Sequence, residues 1–459
     1  MKFDRVVRGG VVTTVEAAVT ADIGIRDGRI AALGTDLQGD EVVDASGMLV
    51  VPGAIDVHTH FGNDVGGSAT ADDYESGSRA AAVGGITSFV NFAFQLPGRT
   101  LVEAVEAELL KADGHSYLDF GLHIAVTDPD VVQLETELPQ LVERGVTSVK
   151  IFTAVAGFAL TPTAVLRVLA ATATAGIMVS VHAEDGALVE HLTERLLQHG
   201  QRSVKYLPTA RPVETEALAT IMVAGYAGVV QCPVYFVHLS CRAALDAVRQ
   251  SRRDGTHVYV ETRPAYLFLD SQRYELPGRE GNKFVCWPPL RTADDQQALW
   301  DGLRDGEIQT YATDHTTWMA AQKMDPELSF SEIPGGVSNV QTSIGMLFAE
   351  GVQRGRISMS RFVAVTATNP AKLFGMWPRK GTLAIGSDAD LVLIDPNKEV
   401  RISSDSMESR SDFDPYDGWA GKGWPVLTMA RGEVIVKNGE IAAGPKPGRM
   451  LHRQRYQPL

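Results

Sequence analysis

The chemistry this sequence can do is concentrated in a few polar side chains that stand where apolar, strand-like runs give way to polar loops. His58-Thr59-His60 closes one such run. On an extended chain, residues two apart project to the same side, so both imidazoles can reach one metal ion. Alone, a His-x-His motif fits a pair of solvent-facing histidines at a strand end equally well. Other groups stand in matching positions: Lys150 after Thr147-Ser148-Val149, and His182 after Met178-Val179-Ser180-Val181. His238 follows Tyr235-Phe236-Val237, and Asp314 follows Tyr311-Ala312-Thr313. Core packing does not place metal-competent groups at the ends of five different strands, whereas an active site at one face of a barrel does.

Lys150 differs in kind from the other candidates. An ammonium is a poor neighbour for metal cations, and burying it unpaired is costly. The usual fate of a strand lysine is to snorkel or to pair with a carboxylate. The alternative is reaction of its amine with carbon dioxide to give a carbamate, whose two oxygens can bridge two metals. With four histidines and Asp314, the nitrogen and oxygen donors then suit Zn²⁺. Two ions about 3.5–4 Å apart would bridge a hydroxide, lower its pKa and polarise a scissile carbonyl. Asp314 would serve as ligand and as general base, passing the nucleophile's proton to the leaving nitrogen. His315 reads either as a support for that site or as an ordinary loop histidine. His115, His123, His191, His199, His257 and His452 read as structural.

These side chains need a scaffold that gathers strand ends. Apolar, β-branched runs occur at residues 54–58, 86–94, 118–126, 147–153, 177–182, 233–239, 257–262 and 308–314, with alanine- and leucine-rich helical stretches between them. Such alternation predicts a parallel sheet buried on both faces, and eight units predict an α/β fold, the closed (β/α)8 TIM barrel. A doubly wound open sheet is the competitor, and no Gly-x-Gly-x-x-Gly turn supports it. Both ends of the chain read as short strands with turns such as Asp27-Gly28 and Asn438-Gly439, predicting one small β-sandwich built from the two termini. The expected division is 1–52 with 383–459 as sandwich and C-terminal arm, and 53–382 as catalytic barrel. The polar stretch 403–419 reads as a long loop or as an arm crossing a subunit boundary.

The 459 residues suffice for one large barrel and a smaller module. A formal net charge of −14 argues against a nucleic-acid partner, which needs a basic footprint. Cys232, Cys241 and Cys286 are too scattered for a disulfide framework or a cysteine zinc site. No run approaches the roughly 18 uninterrupted apolar residues of a membrane span, and no apolar leader is evident. A cytoplasmic enzyme without a membrane partner is the expectation.

Several segments carry a family resemblance. The segment at residues 51–60 reads Val-Pro-Gly-Ala-Ile-Asp-Val-His-Thr-His, and 70–77 reads Thr-Ala-Asp-Asp-Tyr-Glu-Ser-Gly. Later come Arg211-Pro212-Val213-Glu214, Trp287-Pro288-Pro289-Leu290-Arg291, Thr313-Asp314-His315, Asn369-Pro370-Ala371-Lys372 and Asp412-Phe413-Asp414-Pro415-Tyr416. These resemble the cyclic amidohydrolases, within them the dihydropyrimidinase/hydantoinase branch, over essentially the whole chain. The resemblance implies a (β/α)8 barrel with a β-sandwich, and a binuclear site of His58, His60, N6-carboxylated Lys150, His182, His238 and Asp314. It also implies a homotetramer that opens small cyclic amides such as hydantoins or dihydropyrimidines to N-carbamoyl products.

The substrate pocket departs from that branch at three positions. Val155 stands where the branch has a tyrosine whose hydroxyl supports the oxyanion. Trp287 replaces a serine and Gly335 an asparagine, at positions that address the ring amide through main-chain atoms. The loop Phe61-Gly62-Asn63-Asp64-Val65-Gly66-Gly67 is more polar than the branch's apolar gate. It also lacks the arginine of dihydroorotases and allantoinases, leaving Arg263 or Arg291 as the cations open to a carboxylate-bearing substrate. Two alternatives accompany the cyclic-amide reading: the same metal chemistry on another amide or carbamate, and a metal-free binding scaffold.

Overall fold

The computed structural model describes residues 2–65, 68–444 and 447–459. Eight strands are hydrogen-bonded in chain order, every neighbouring pair parallel. They are Ala54–Thr59, Ile86–Phe94, Asp119–Ala125, Ser148–Phe152, Met178–His182, Val234–Phe236, Val258–Thr262 and Thr310–Tyr311. Closure of the ring rests on a few contacts. Thr59 bridges His315 in parallel, and the Asp56 carboxylate accepts from the Thr313 backbone and hydroxyl at 3.1 and 2.5 Å. The (β/α)8 expectation therefore holds.

The sixth and eighth strands are shorter than their apolar runs. Past each of them the backbone enters the left-handed region, at His238 (φ 41°) and at Asp314 (φ 49°), which ends the ladder. Side-chain caps start the intervening helices: Thr100 and Glu103 form a reciprocal capping box before Leu101–Ala112, and Thr292 and Asp295 do so before Ala293–Asp305. Helix Val213–Val230 lies in a stretch long and apolar enough to cross a bilayer, but its Ala219, Val223, Ala224 and Ala227 pack into the main core.

The barrel interior is filled below the site by Ile55, Val57, Met178 and Tyr235, with Phe374 and Leu451 plugging the floor. A second sheet of nine strands joins the N-terminal strands, through Leu49–Pro52, to the antiparallel Leu391–Arg401. Its own core includes Val7, Ile23, Ile25, Leu391 and Met429, so the two termini do build one module. The last residues leave that module and return to the barrel. Leu451 N donates to Phe120 O at 2.6 Å, and buried Arg453 donates to Leu122 O and Ser148 Oγ.

The 403–419 stretch packs on its own barrel. Arg79 pairs with Glu408 at 3.0 Å, Asp72 accepts from Ser409 and Arg410, and Tyr416 donates to Asn339 Oδ1 at 2.6 Å. Of the loop after His60, Gly66 and Gly67 lie outside the described residues.

Candidate functional site

One pocket at the carboxyl ends of the barrel strands is lined by His58, His60, Lys150, His182, His238 and Asp314 together. Val155, Trp287 and Gly335 line the same pocket. The six candidate metal ligands are thus brought to one place from five strands.

The polar side of the pocket has two clusters of donors. His58 Nε2 and His60 Nε2 each lie 3.2 Å from Asp314 Oδ1, close enough for the three to share one ion. His182 Nδ1 and His238 Nε2 face each other at 3.0 Å. The Lys150 ammonium lies over the rings of Phe92 and Phe152, 5.4 and 5.1 Å from their centroids. It is only 1% exposed, and among the described residues it forms no hydrogen bond or ion pair. Neither usual fate of a strand lysine is realised. Burial lowers its amine to about 7, although Asp314 and Glu261 pull the other way.

Carboxylates behind the histidines set their tautomers. Glu261 Oε1 lies 2.7 Å from His58 Nδ1, leaving Nε2 for the pocket, and Glu184 Oε2 lies 2.7 Å from His182 Nε2. Glu184 also pairs with Arg211. His60 Nδ1 has Asn63 Oδ1 at 3.3 Å. Burial lowers His60 and His182, and burial with the neighbouring His182 charge takes His238 well below the usual imidazole range. Neutral imidazoles are the form that binds metal. Burial also pulls on His58, but Glu261 and Asp314 outweigh it and hold that ring above its ordinary value. Burial opposes ionisation of Asp314, yet Arg263 and His58 keep its carboxyl well below the usual range.

This donor set fits divalent metal. Imidazole nitrogens and a carboxylate converge, with the back sides of His58, His60 and His182 tied, while His238 Nδ1 is buried with no hydrogen-bond partner among the described residues.

Glu261 and Glu184 escaped sequence reasoning, although a glutamate inside the apolar run 257–262 is a usable signal. Arg263 and Arg291 are not free cations for a substrate. Arg263 is buried and paired with Asp314, while Arg291 donates to Ser240 Oγ and Arg211 O. Neither lines the pocket. His315 is a structural anchor: Nε2 lies 2.9 Å from Asp72 Oδ2, and Nδ1 accepts from Asn339 and Val340 N. His123 is structural too, buried between Ser148 Oγ and Val57 O.

The opposite wall is apolar. Phe152 and Val155 form a cluster with Phe94, Phe158 and Trp287 packed against it. Val155 offers no donor, and the hydroxyl of Thr316, also on the pocket, donates to Asp314 O at 3.2 Å.

A (β/α)8 barrel with a histidine–carboxylate cage at its strand ends defines a class of enzymes that work through bound metal. The amidohydrolase family model matches residues 49–435, and the chain belongs to that family. It is 38% identical to the D-hydantoinase of Rhizobium radiobacter, over 99% of this chain and 100% of that one. It is 37% identical to the D-hydantoinase of Geobacillus stearothermophilus, over 99% and 98%. Among solved structures, dihydropyrimidinase from Brevibacillus agri NCHU1002 superposes with a TM-score of 0.97 at 36% identity, covering 99% and 100%. L-hydantoinase (dihydropyrimidinase) from Arthrobacter aurescens gives 0.90 at 28%, covering 98% and 99%.

Proposed function

We propose that this chain hydrolyses a ring C–N bond in a hydantoin, dihydropyrimidine or related cyclic imide, releasing an N-carbamoyl amino acid or comparable open product. The observation that carries the reading is Lys150: a buried, unpaired amine set beside a histidine–carboxylate cage, in a chain similar to hydantoinases. His58, His60, His182, His238 and Asp314 would hold two divalent ions, Zn²⁺ by donor type. Lys150 would supply the bridging anion. Its neutral amine attacks carbon dioxide, an N–C bond forms, and one proton leaves the nitrogen for solvent, giving a carbamate. When bound, the ions acidify a water and polarise the scissile carbonyl.

The protein's own groups do the rest. Arg263 holds Asp314 Oδ2, which leaves Oδ1 toward His58 and His60. Asp314 would take the attacking water's proton and return it to the leaving nitrogen. Phe94, Phe152 and Phe158 keep bulk water from that transfer. Assembly as a homotetramer belongs to the same proposal and is supported by the family resemblance; light scattering on the purified protein tests it.

A second reading keeps the centre and changes the substrate to another amide or a carbamate. Val155 favours it, because loss of one oxyanion donor costs about 2.7–4 kcal/mol of transition-state stabilisation where another group does not replace it. Incubation of metal-loaded protein with hydantoin, dihydrouracil and a panel of acyclic amides separates the two. Ring opening of hydantoin or dihydrouracil is expected. Turnover confined to acyclic amides favours the second reading, and no turnover of any compound overturns both.

A further inference from the structure

We infer that Trp287 and Gly335 act as one specificity-determining unit, in which the indole occupies the space of a side chain at 335 and turns that side of the pocket into an aromatic wall. The inference rests on this pocket being the substrate site, as proposed above.

A Cβ built on Gly335 lies 2.9 Å from Trp287 Cδ2 and 3.1 Å from Cε2, closer than carbon atoms pack. The backbone does not itself call for glycine at 335, since its φ lies outside the left-handed region. Gly336 is the contrast. Its φ is +125° and its Cβ would fall 2.4 Å from Thr316 Cβ, so glycine is required there whatever stands at 287. Glycine at 335 therefore answers the indole.

The indole has little freedom to yield. The Arg211 guanidinium lies 5.0 Å from its ring centroid, and Arg211 is itself anchored on Glu184. The two loops are also stitched together. Buried Lys323 donates to Val285 O at 2.8 Å and to Gly336 O at 2.6 Å, and Gly336 N donates to Val285 O at 3.0 Å. These bonds fix the separation of residues 287 and 335. The ring continues the apolar surface begun by Phe152 and Val155. A flat apolar substituent on the substrate gains contact area against this wall, whose indole carries one polar atom, Trp287 Nε1, buried without a hydrogen-bond partner among the described residues.

The test uses W287S, W287F, G335N and the double variant W287S/G335N. Thermal midpoints come first, because they need no turnover. G335N is expected to melt below the wild type, and W287S is expected to restore most of that loss in the double variant. Additive losses overturn the pair. The second readout is kcat/KM for 5-phenylhydantoin divided by that for unsubstituted hydantoin. The ratio is expected to fall about tenfold in W287S and to stay within about threefold of wild type in W287F, which keeps the ring face. An unchanged ratio in active, metal-loaded W287S overturns the specificity role. A wild-type protein that opens neither compound is a failure of the functional reading, and the melting comparison still decides the pair.

Discussion

Replacing Glu261 with glutamine keeps the shape of a fully buried side chain and removes its charge. Glu261 Oε1 receives His58 Nδ1 at 2.7 Å and His238 N at 2.9 Å, and Oε2 accepts from Tyr235 at 2.9 Å. One carboxylate thus orients the ring of one cage residue and the left-handed backbone of another. Hydrogen bonds to an ionised acceptor are about twice as strong as neutral ones, so three of them forfeit roughly 3 kcal/mol in all. Relief from burying a charge returns part of this, leaving a net loss of about 1–2 kcal/mol in the metal-free protein. The larger effect falls on metal. With His58 less firmly held in its Nδ1–H tautomer, affinity is expected to drop about 10–100-fold. Titration against a chelator of known affinity measures this, with kcat/KM at saturating metal as the companion. E261Q that folds normally and binds metal as tightly as wild type refutes the orienting role of Glu261.

Lys150→Met is expected to abolish metal binding and turnover, while the metal-free protein unfolds at an equal or higher denaturant concentration, because an unpaired buried amine is removed. The sign follows from burial, which lowers the folded amine from 10.5 to about 7: this penalty on the native state is absent above pH 10.5, grows as pH falls, and is complete below about 7. Reconstitution of metal-free protein with bicarbonate and metal, followed by recovered activity, should slow about tenfold for each unit of pH below about 7, as the amine protonates. Asp72 is lowered from 3.8 to about 2: burial opposes ionisation, but the bonds from His315, Ser409 and Arg410 prevail. Its contribution, roughly 2 kcal/mol, should be present above pH 4 and be lost as pH falls toward 2. D72N should flatten that part of the stability profile measured by denaturant titration.

Much of the site was legible in the sequence because barrel chemistry has a one-dimensional mark. His58, His60, His182, His238 and Asp314 stand at or near the ends of apolar runs and Lys150 lies inside the short run 147–153, and parallel closure carries all six to one face. What escaped depends on three-dimensional pairing. Glu261 sits within a strand and Glu184 just beyond one, and nothing local says which histidine each supports. The runs 233–239 and 308–314 look uniform, yet the chain turns left-handed at His238 and Asp314, so the strands stop early. The 403–419 stretch is polar enough for either a loop or an intersubunit arm, and nothing local in it foretells its bonds to Asp72, Arg79 and Asn339. Gly335 reads as a substitution on its own; its dependence on Trp287 emerges only when a Cβ is placed in space.

The most direct measurement is anomalous diffraction from crystals of protein grown with metal and bicarbonate. Two peaks are expected within the cage of residues 58, 60, 150, 182, 238 and 314, with density extending from Lys150 Nζ as a carboxylate between them. A single peak, or two peaks beside a bare lysine, would contradict the proposed centre.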